Sequence, residues 1–303
     1  MITRNGPSLW ESTAGLRLGL GLALLIVLTV GLIGYVLSER GSTQIMHGFA
    51  RRSALDPDTE PAQSARLKLR RRWLISALFG LIPLGLLVWE WLDAGAERFP
   101  KLLGYVFLAV LAVGVGRTVA VLTEQPKPNP EIPVVEREPR PAVPDYVSPA
   151  ELQVARVAPI LSLAAALIVG VLQTTEAMPG TAAVSLGLGL LPVLVFLGVG
   201  QVAKRIAARP QREKTNMRLL WDDALRADAL QNLFQVVPAT AAYVLLQIAV
   251  SVPETGGETE FFTLYAATAG VVIVLWFVSL IWISHTEPGK HYLRRLWTGS
   301  KNS

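Results

Sequence analysis

Few residues in this sequence could do chemistry, and they stand out because their surroundings are apolar. Arg117, Gln201, Gln235 and Gln247, together with Glu90, fall within or at the ends of long hydrophobic runs. A polar side chain in such a run needs a partner, a route to the interface or a water-lined path. Arg117 lies close enough to one end of its run for its stem to snorkel to the headgroups, and Glu90 sits between Trp89 and Trp91 near the end of another. Arg117, Gln201, Gln235 and Gln247 are therefore the candidates for a polar path through a membrane, although glutamines also serve to tie one helix to the next. No pair of carboxylates lies at mid-run, where a proton relay would need one.

Named chemistries are excluded by their spacing rules. The sequence holds no G-x-x-x-x-G-K-[ST] to cradle phosphates and no H-E-x-x-H, and His47, His285 and His291 all fall outside the apolar interiors. No serine sits in a G-x-S-x-G elbow, and the absence of cysteine removes disulfides, thiolate metal sites and thiol nucleophiles. Lys204 to Pro210 reads K-R-I-A-A-R-P, which resembles the first motif of membrane lipid phosphatases, but the spacing is short and no P-S-G-H follows. The residues thus predict no catalytic, cofactor-binding or metal-binding set.

The elements that must position these side chains follow from composition. A chain of 303 residues that is 51% hydrophobic and 17% charged, with a mean hydropathy of +0.43, carries more apolar surface than a soluble domain of this size can bury. Uninterrupted runs predict an all-α, polytopic transmembrane helix bundle of about seven spans. They are Leu18 to Leu37, Trp73 to Leu92, Leu102 to Leu122, about 154 to 172, Ala182 to Val202, Leu233 to Val252 and Phe261 to Ile283. The first run is too long for a usual signal-peptide core and lacks an A-x-A site, so it is taken as a span.

Lys and Arg retained in short loops set the orientation. They crowd the connection Ser38 to Arg72, the connection Ala203 to Asn232, the tail after Ile283 and the Pro-rich segment after Leu122, and all four fall on one side. The opposite loops carry few cations, and one of them holds Glu254, Glu258 and Glu260. The pattern predicts an N-terminus outside and a C-terminus in the cytoplasm. Seven spans so arranged resemble the rhodopsins, but Phe261 to Ile283 contains no lysine to form a retinal Schiff base. The net charge of +5 then reflects this bias and attraction to anionic lipid, with no nucleic-acid partner implied. Arginine outnumbers lysine against a background of Ala, Leu, Val and Gly, a bias associated with high-GC bacteria, so the expected location is the bacterial inner (plasma) membrane.

Three cytoplasmic segments are candidate contact surfaces. The cluster Arg66, Lys68, Arg70, Arg71, Arg72 suits an anionic lipid leaflet or a protein partner, besides its plain topological role. Pro126 to Pro149 is stiffened by repeated proline and contains P-x-x-P at Pro130 to Pro133 and Pro141 to Pro144. Lys214 to Gln235 has helix-forming composition, with Arg218, Asp222 and Arg226 on one side and Met217, Leu220, Trp221, Ala224, Ala227 and Phe234 on an opposite arc; it reads as an interfacial helix that could present Trp221 to a partner. Small residues such as Gly187, Gly189, Gly198 and Gly200 would allow close helix approach. The expected organisation is a three-span half (1–122), a Pro-rich linker (123–153) and a four-span half (154–303) with a basic tail. The lipid bilayer is one partner, a membrane or cytoplasmic protein is another candidate, and oligomeric state is not legible. The leading functional expectation is a non-enzymatic accessory or scaffold subunit of a membrane complex. A small-solute carrier or channel is the second, and an intramembrane lipid-modifying enzyme the third.

Overall fold

The computed structural model describes residues 27, 29–93, 99–124, 141–175, 182–209, 215–250, 258–285 and 287–297. Every described element is an α-helix, the form that satisfies each backbone polar group within its own segment where water is excluded. In chain order they are α1 (29–37), α2 (Glu39–Arg52), α3 (Glu60–Asp93), α4 (Phe99–Leu122), α5 (Val143–Tyr146), α6 (Pro149–Thr174), α7 (Ala182–Ala207), α8 (Asn216–Val250), α9 (Glu258–His285) and α10 (Pro288–Leu296). Six are long and apolar enough to cross a membrane, namely α3, α4, α6, α7, α8 and the helical stretch beginning in α9. The chain is an all-α, multi-pass helix bundle. Half of the predicted first span, Leu18 to Leu37, lies outside the described residues.

Several boundaries differ from the apolar runs, each for a local reason. α3 begins at Glu60, so Arg66 to Arg72 belong to its first turns and not to a loop. α6 begins at Pro149 and not near 154, because Ser148 and Glu151 form a reciprocal capping box with proline at the first helical position. Ser148 Oγ accepts from the Glu151 amide, and the Ser148 amide and hydroxyl donate to Glu151 Oε2 at 2.9 Å. α8 runs unbroken from Asn216 through Pro238 to Val250, so the predicted interfacial helix and the sixth span are one helix.

α8 is the axis of the bundle. In its apolar stretch 67% of residues are buried, against 22% in α7, and it packs along α4, α6 and α7 while touching α3, α5, α9 and α10. It thereby joins the two predicted halves. α6 and α7 turn Ile160, Ile168 and Leu194 outward, each more than three-fifths exposed, as lipid-facing helices should. α4 is pressed between neighbours: a Cβ at Gly114 would meet Val236 of α8 at 2.6 Å, and one at Gly116 would meet the Ser76 backbone of α3 at 2.9 Å. The largest core, including Phe49, Leu69, Tyr146, Ala203, Trp221, Leu230 and Tyr292, gathers at the cation-rich end, where α2, α5 and α10 close over the long helices.

Candidate functional site

The basic end is held by arginines that reach the exposed carbonyls of helix C-termini. Arg209 donates to the carbonyls of Val121 at 3.0 Å and Leu122 at 3.1 Å at the end of α4, and Arg226 to those of Ala207 and Arg209 at 3.0 Å at the end of α7. Cations there satisfy the orphan acceptors and oppose the negative end of the helix dipole. Arg72 is buried, bidentate on Glu124 with Nε and Nη2 each 2.8 Å from a carboxylate oxygen, and its Nη1 donates to the Leu225 carbonyl at 2.8 Å.

Within the predicted surface cluster Arg72 is buried, Arg66, Lys68 and Arg70 are half-buried and Arg71 is exposed. Arg66 donates to Ser42 Oγ and to the Glu39 carbonyl, Lys68 lies 3.7 Å from Asp222, and Arg71 donates to Thr123 Oγ1 at 3.3 Å. Trp221, expected as an exposed contact, is 2% exposed; it donates to Thr59 Oγ1 at 3.1 Å and lies against Phe49 with ring centroids 6.1 Å apart. Of the apolar arc of Lys214 to Gln235, Trp221, Ala224, Ala227 and Phe234 are buried, while Met217 is exposed. Of the P-x-x-P segments, Pro130 to Pro133 lies outside the described residues, while Pro144 offers its carbonyl to His291 at 3.0 Å.

Behind α10 and α5 stands Asp223, fully buried, which accepts from Tyr146 at 2.9 Å and from the Trp297 indole at 3.0 Å. Burial and the adjacent Asp223 carboxylate push the Tyr146 phenol well above its ordinary value. Tyr292 adds a bond to the Ser53 carbonyl at 3.2 Å, and Gln231 one to the Pro288 carbonyl at 2.7 Å. α10 is thus pinned over the end of the bundle.

Under it lies the candidate site. A cavity of 1140 Å³ opens at the basic end and is lined by residues of α1, α2 and α8 together with Arg117, Glu151 and the start of α10. A second, of 480 Å³, is an apolar groove between α3, α4 and α8, walled by Gly80, Leu84, Val106, Val110 and Val113. The groove has a typical ligand-pocket volume of about 300–1,000 Å³ and the outer cavity is slightly larger. Leu32, Arg117, Asn232 and Gln235 line both, so the polar cavity and the apolar groove share a wall. Arg117 does not snorkel away from the bundle: it donates to Asn232 Oδ1, and its guanidinium lies 4.6 Å from the ring centroid of Trp73. Asp228, one turn before Asn232, lines the polar cavity with Gln231.

Of the predicted polar path, Arg117 and Gln235 are brought together. Gln247 lies deeper, half-buried where α8 meets Gly104 of α4, and Gln201 is exposed on α7 and lines neither cavity. The side chain of Glu90 lies outside the described residues. Sequence reasoning missed Asp228, Gln231, Asn232 and Glu151. The available signal was the spacing 228, 231, 232, 235, a polar stripe along one face of a helix that continues into an apolar span. Among the described residues no group of three or more His, Asp or Glu side chains converges to hold a metal ion.

Fold and site together define a multi-pass α-helical membrane protein with a charged cavity that continues into an apolar groove. Comparison of the chain with protein-family models, with curated proteins and with solved structures finds no match, so function is argued from the site.

Proposed function

We propose that this protein is a membrane carrier for a small solute with a charged head, taken up at the basic end, which faces the cytoplasm of a bacterial cell. The observation that carries the reading is the shared wall of Arg117, Asn232 and Gln235 between a polar cavity and an apolar groove inside the bundle. A guanidinium held among apolar helices is costly, and placing it on a cavity gives it a ligand to bind. The rival accessory role drew on the segments Arg66 to Arg72 and Lys214 to Gln235, and much of both is engaged within the fold. A membrane or cytoplasmic partner remains a proposal that would need another surface.

The chain contains no cysteine, which makes the test direct. Gln235→Cys places a lone thiol on the shared wall. A carrier exposes it in turn to both compartments, so a membrane-impermeant maleimide is expected to label it in right-side-out and in inverted vesicles. Labelling from one face alone, with the variant folded, would rule out translocation through this site.

A further inference from the structure

The two cavities differ in chemistry, and that difference narrows what can occupy both. The groove is apolar and lies between the spanning parts of α3, α4 and α8, where only hydrocarbon is a comfortable occupant. At its inner wall Arg117 and the Gln235 amide supply donors suited to an anionic oxygen, while Asn232 donates to the Asp228 carbonyl and accepts from Arg117. The polar cavity beyond is lined by Arg51, Arg52 and Lys290, the last paired with Glu287 at 3.0 Å, and carries acceptors as well. Asp228 lines it, and so does Glu151, which is 4% exposed and whose Oε1 has no hydrogen-bond partner although Oε2 accepts twice from Ser148. A buried acceptor oxygen left unmatched is unfavourable, and a donor brought in through the cavity would match it after a small turn of the carboxyl.

We propose that the ligand of this site is a phospholipid whose phosphate carries an ammonium arm, with an acyl chain in the groove, the phosphate on Arg117 and the ammonium toward Glu151 and Asp228. The proposal deepens the carrier reading and rests on it for the site, but not for translocation. A purely anionic amphiphile would satisfy Arg117 but bring no ammonium donor to the unmatched oxygen of Glu151. A free phosphate compound would satisfy the polar cavity and leave the groove without a use. The two charge signs and the groove together favour a zwitterionic lipid.

The test is native mass spectrometry of the full-length protein extracted from vesicles of equal phosphatidylethanolamine, phosphatidylglycerol and phosphatidylcholine, with O-phosphoethanolamine and inorganic phosphate added in separate arms. The expected result is retention of phosphatidylethanolamine over phosphatidylglycerol by about tenfold, from the added charge-assisted hydrogen bonds. Arg117→Gln should lose the retained lipid. Glu151→Gln should keep a lipid but lose the preference for the ammonium head. Because Arg117 also ties α4 to α8, Leu84→Trp, which fills the groove from α3, provides a second route to lipid loss in a helical, monodisperse protein. Equal retention of phosphatidylglycerol, or binding of O-phosphoethanolamine as tight as that of the lipid, would overturn the proposal. The carrier reading fails separately: a retained ethanolamine lipid with Gln235→Cys labelled from one face leaves the ligand right and transport wrong, and labelling from both faces with no lipid retained gives the reverse.

Discussion

At the scale of single residues, the basic end depends on a few buried polar groups whose partners come from far along the chain. Asp223 receives hydrogen bonds from Tyr146, 77 positions away, and from Trp297, 74 positions away. Asp223→Ala would leave a phenol and an indole N–H buried without that acceptor, and is expected to lower stability by about 3 kcal/mol, read as a fall in the thermal midpoint by tryptophan fluorescence in detergent. Trp297→Phe, which removes one donor, should cost less. The same cluster makes a pH prediction. The folded state raises the Tyr146 phenol, through burial first and the Asp223 charge second, so above about pH 10 the unfolded chain binds fewer protons than the folded one. Stability should therefore be fully present below pH 10 and decline above it, at a rate of up to about 1.4 kcal/mol per pH unit for this one group. Tyr146→Phe should flatten that part of the profile. If both proteins lose stability in parallel between pH 9 and 11, Tyr146 does not titrate against folding.

The helices themselves were largely legible, because a run of apolar residues long enough to cross hydrocarbon reads the same in sequence as in structure. What stayed hidden was which helix lies at the centre. α8 and α7 are both apolar, but most of the apolar stretch of α8 is covered by protein and most of that of α7 is not, and hydropathy does not separate a protein neighbour from a lipid one. For the same reason the polar stripe of Asp228, Gln231, Asn232 and Gln235 resembles the wet face of a surface helix until α1, α2 and α10 are seen to enclose it. The start of α6 was written in the sequence S-P-A-E at Ser148 to Glu151, a capping signal that a search for hydrophobic runs passes over. Glycine spacing was informative only in part. A Cβ at Gly189 would stand 2.3 Å from the Cβ of Ala166 on α6, whereas at Gly187, Gly198 and Gly200 it would meet nothing within 4 Å. Gly189→Leu is thus expected to force α6 and α7 apart at a cost of about 1–3 kcal/mol, while alanine at the other three positions should be neutral or slightly stabilising. A thermal-shift comparison of the four variants checks this, and equal midpoints for all four would mean that the α6–α7 contact does not hold in the bilayer.

For the whole molecule, crossings by all six candidate helices from α3 to α9 would be even in number and would place α2 before them and α10 after them on one side. The contacts agree: Tyr292 of α10 bonds to the Ser53 carbonyl at the end of α2, and Gly289 lies so close to Arg52 that a Cβ there would stand 2.6 Å from its carbonyl oxygen. We propose, from the positive charge on α2, α3, α7 and α10, that this side faces the cytoplasm. The position of the N-terminus then depends on one segment alone, the run Leu18 to Leu37. If it crosses, it is the seventh span and Arg4 and Arg17 lie outside; if it turns back along the interface, both lie in the cytoplasm. Single cysteines at His47, Ala208 and Arg294, exposed at the basic end, should be labelled by an impermeant reagent only in inverted vesicles, and one at Thr175, at the far end of α6, only in right-side-out vesicles. Those four define the sides independently of α1. Ser8→Cys then decides the remaining question, with labelling in right-side-out vesicles expected, because a stretch so long and uncharged is more stable across the hydrocarbon than folded along its surface. Labelling of Ser8→Cys in inverted vesicles alone would reduce the bundle to six spans and make α1, with Leu32 on both cavities, an interfacial wall of the ligand site.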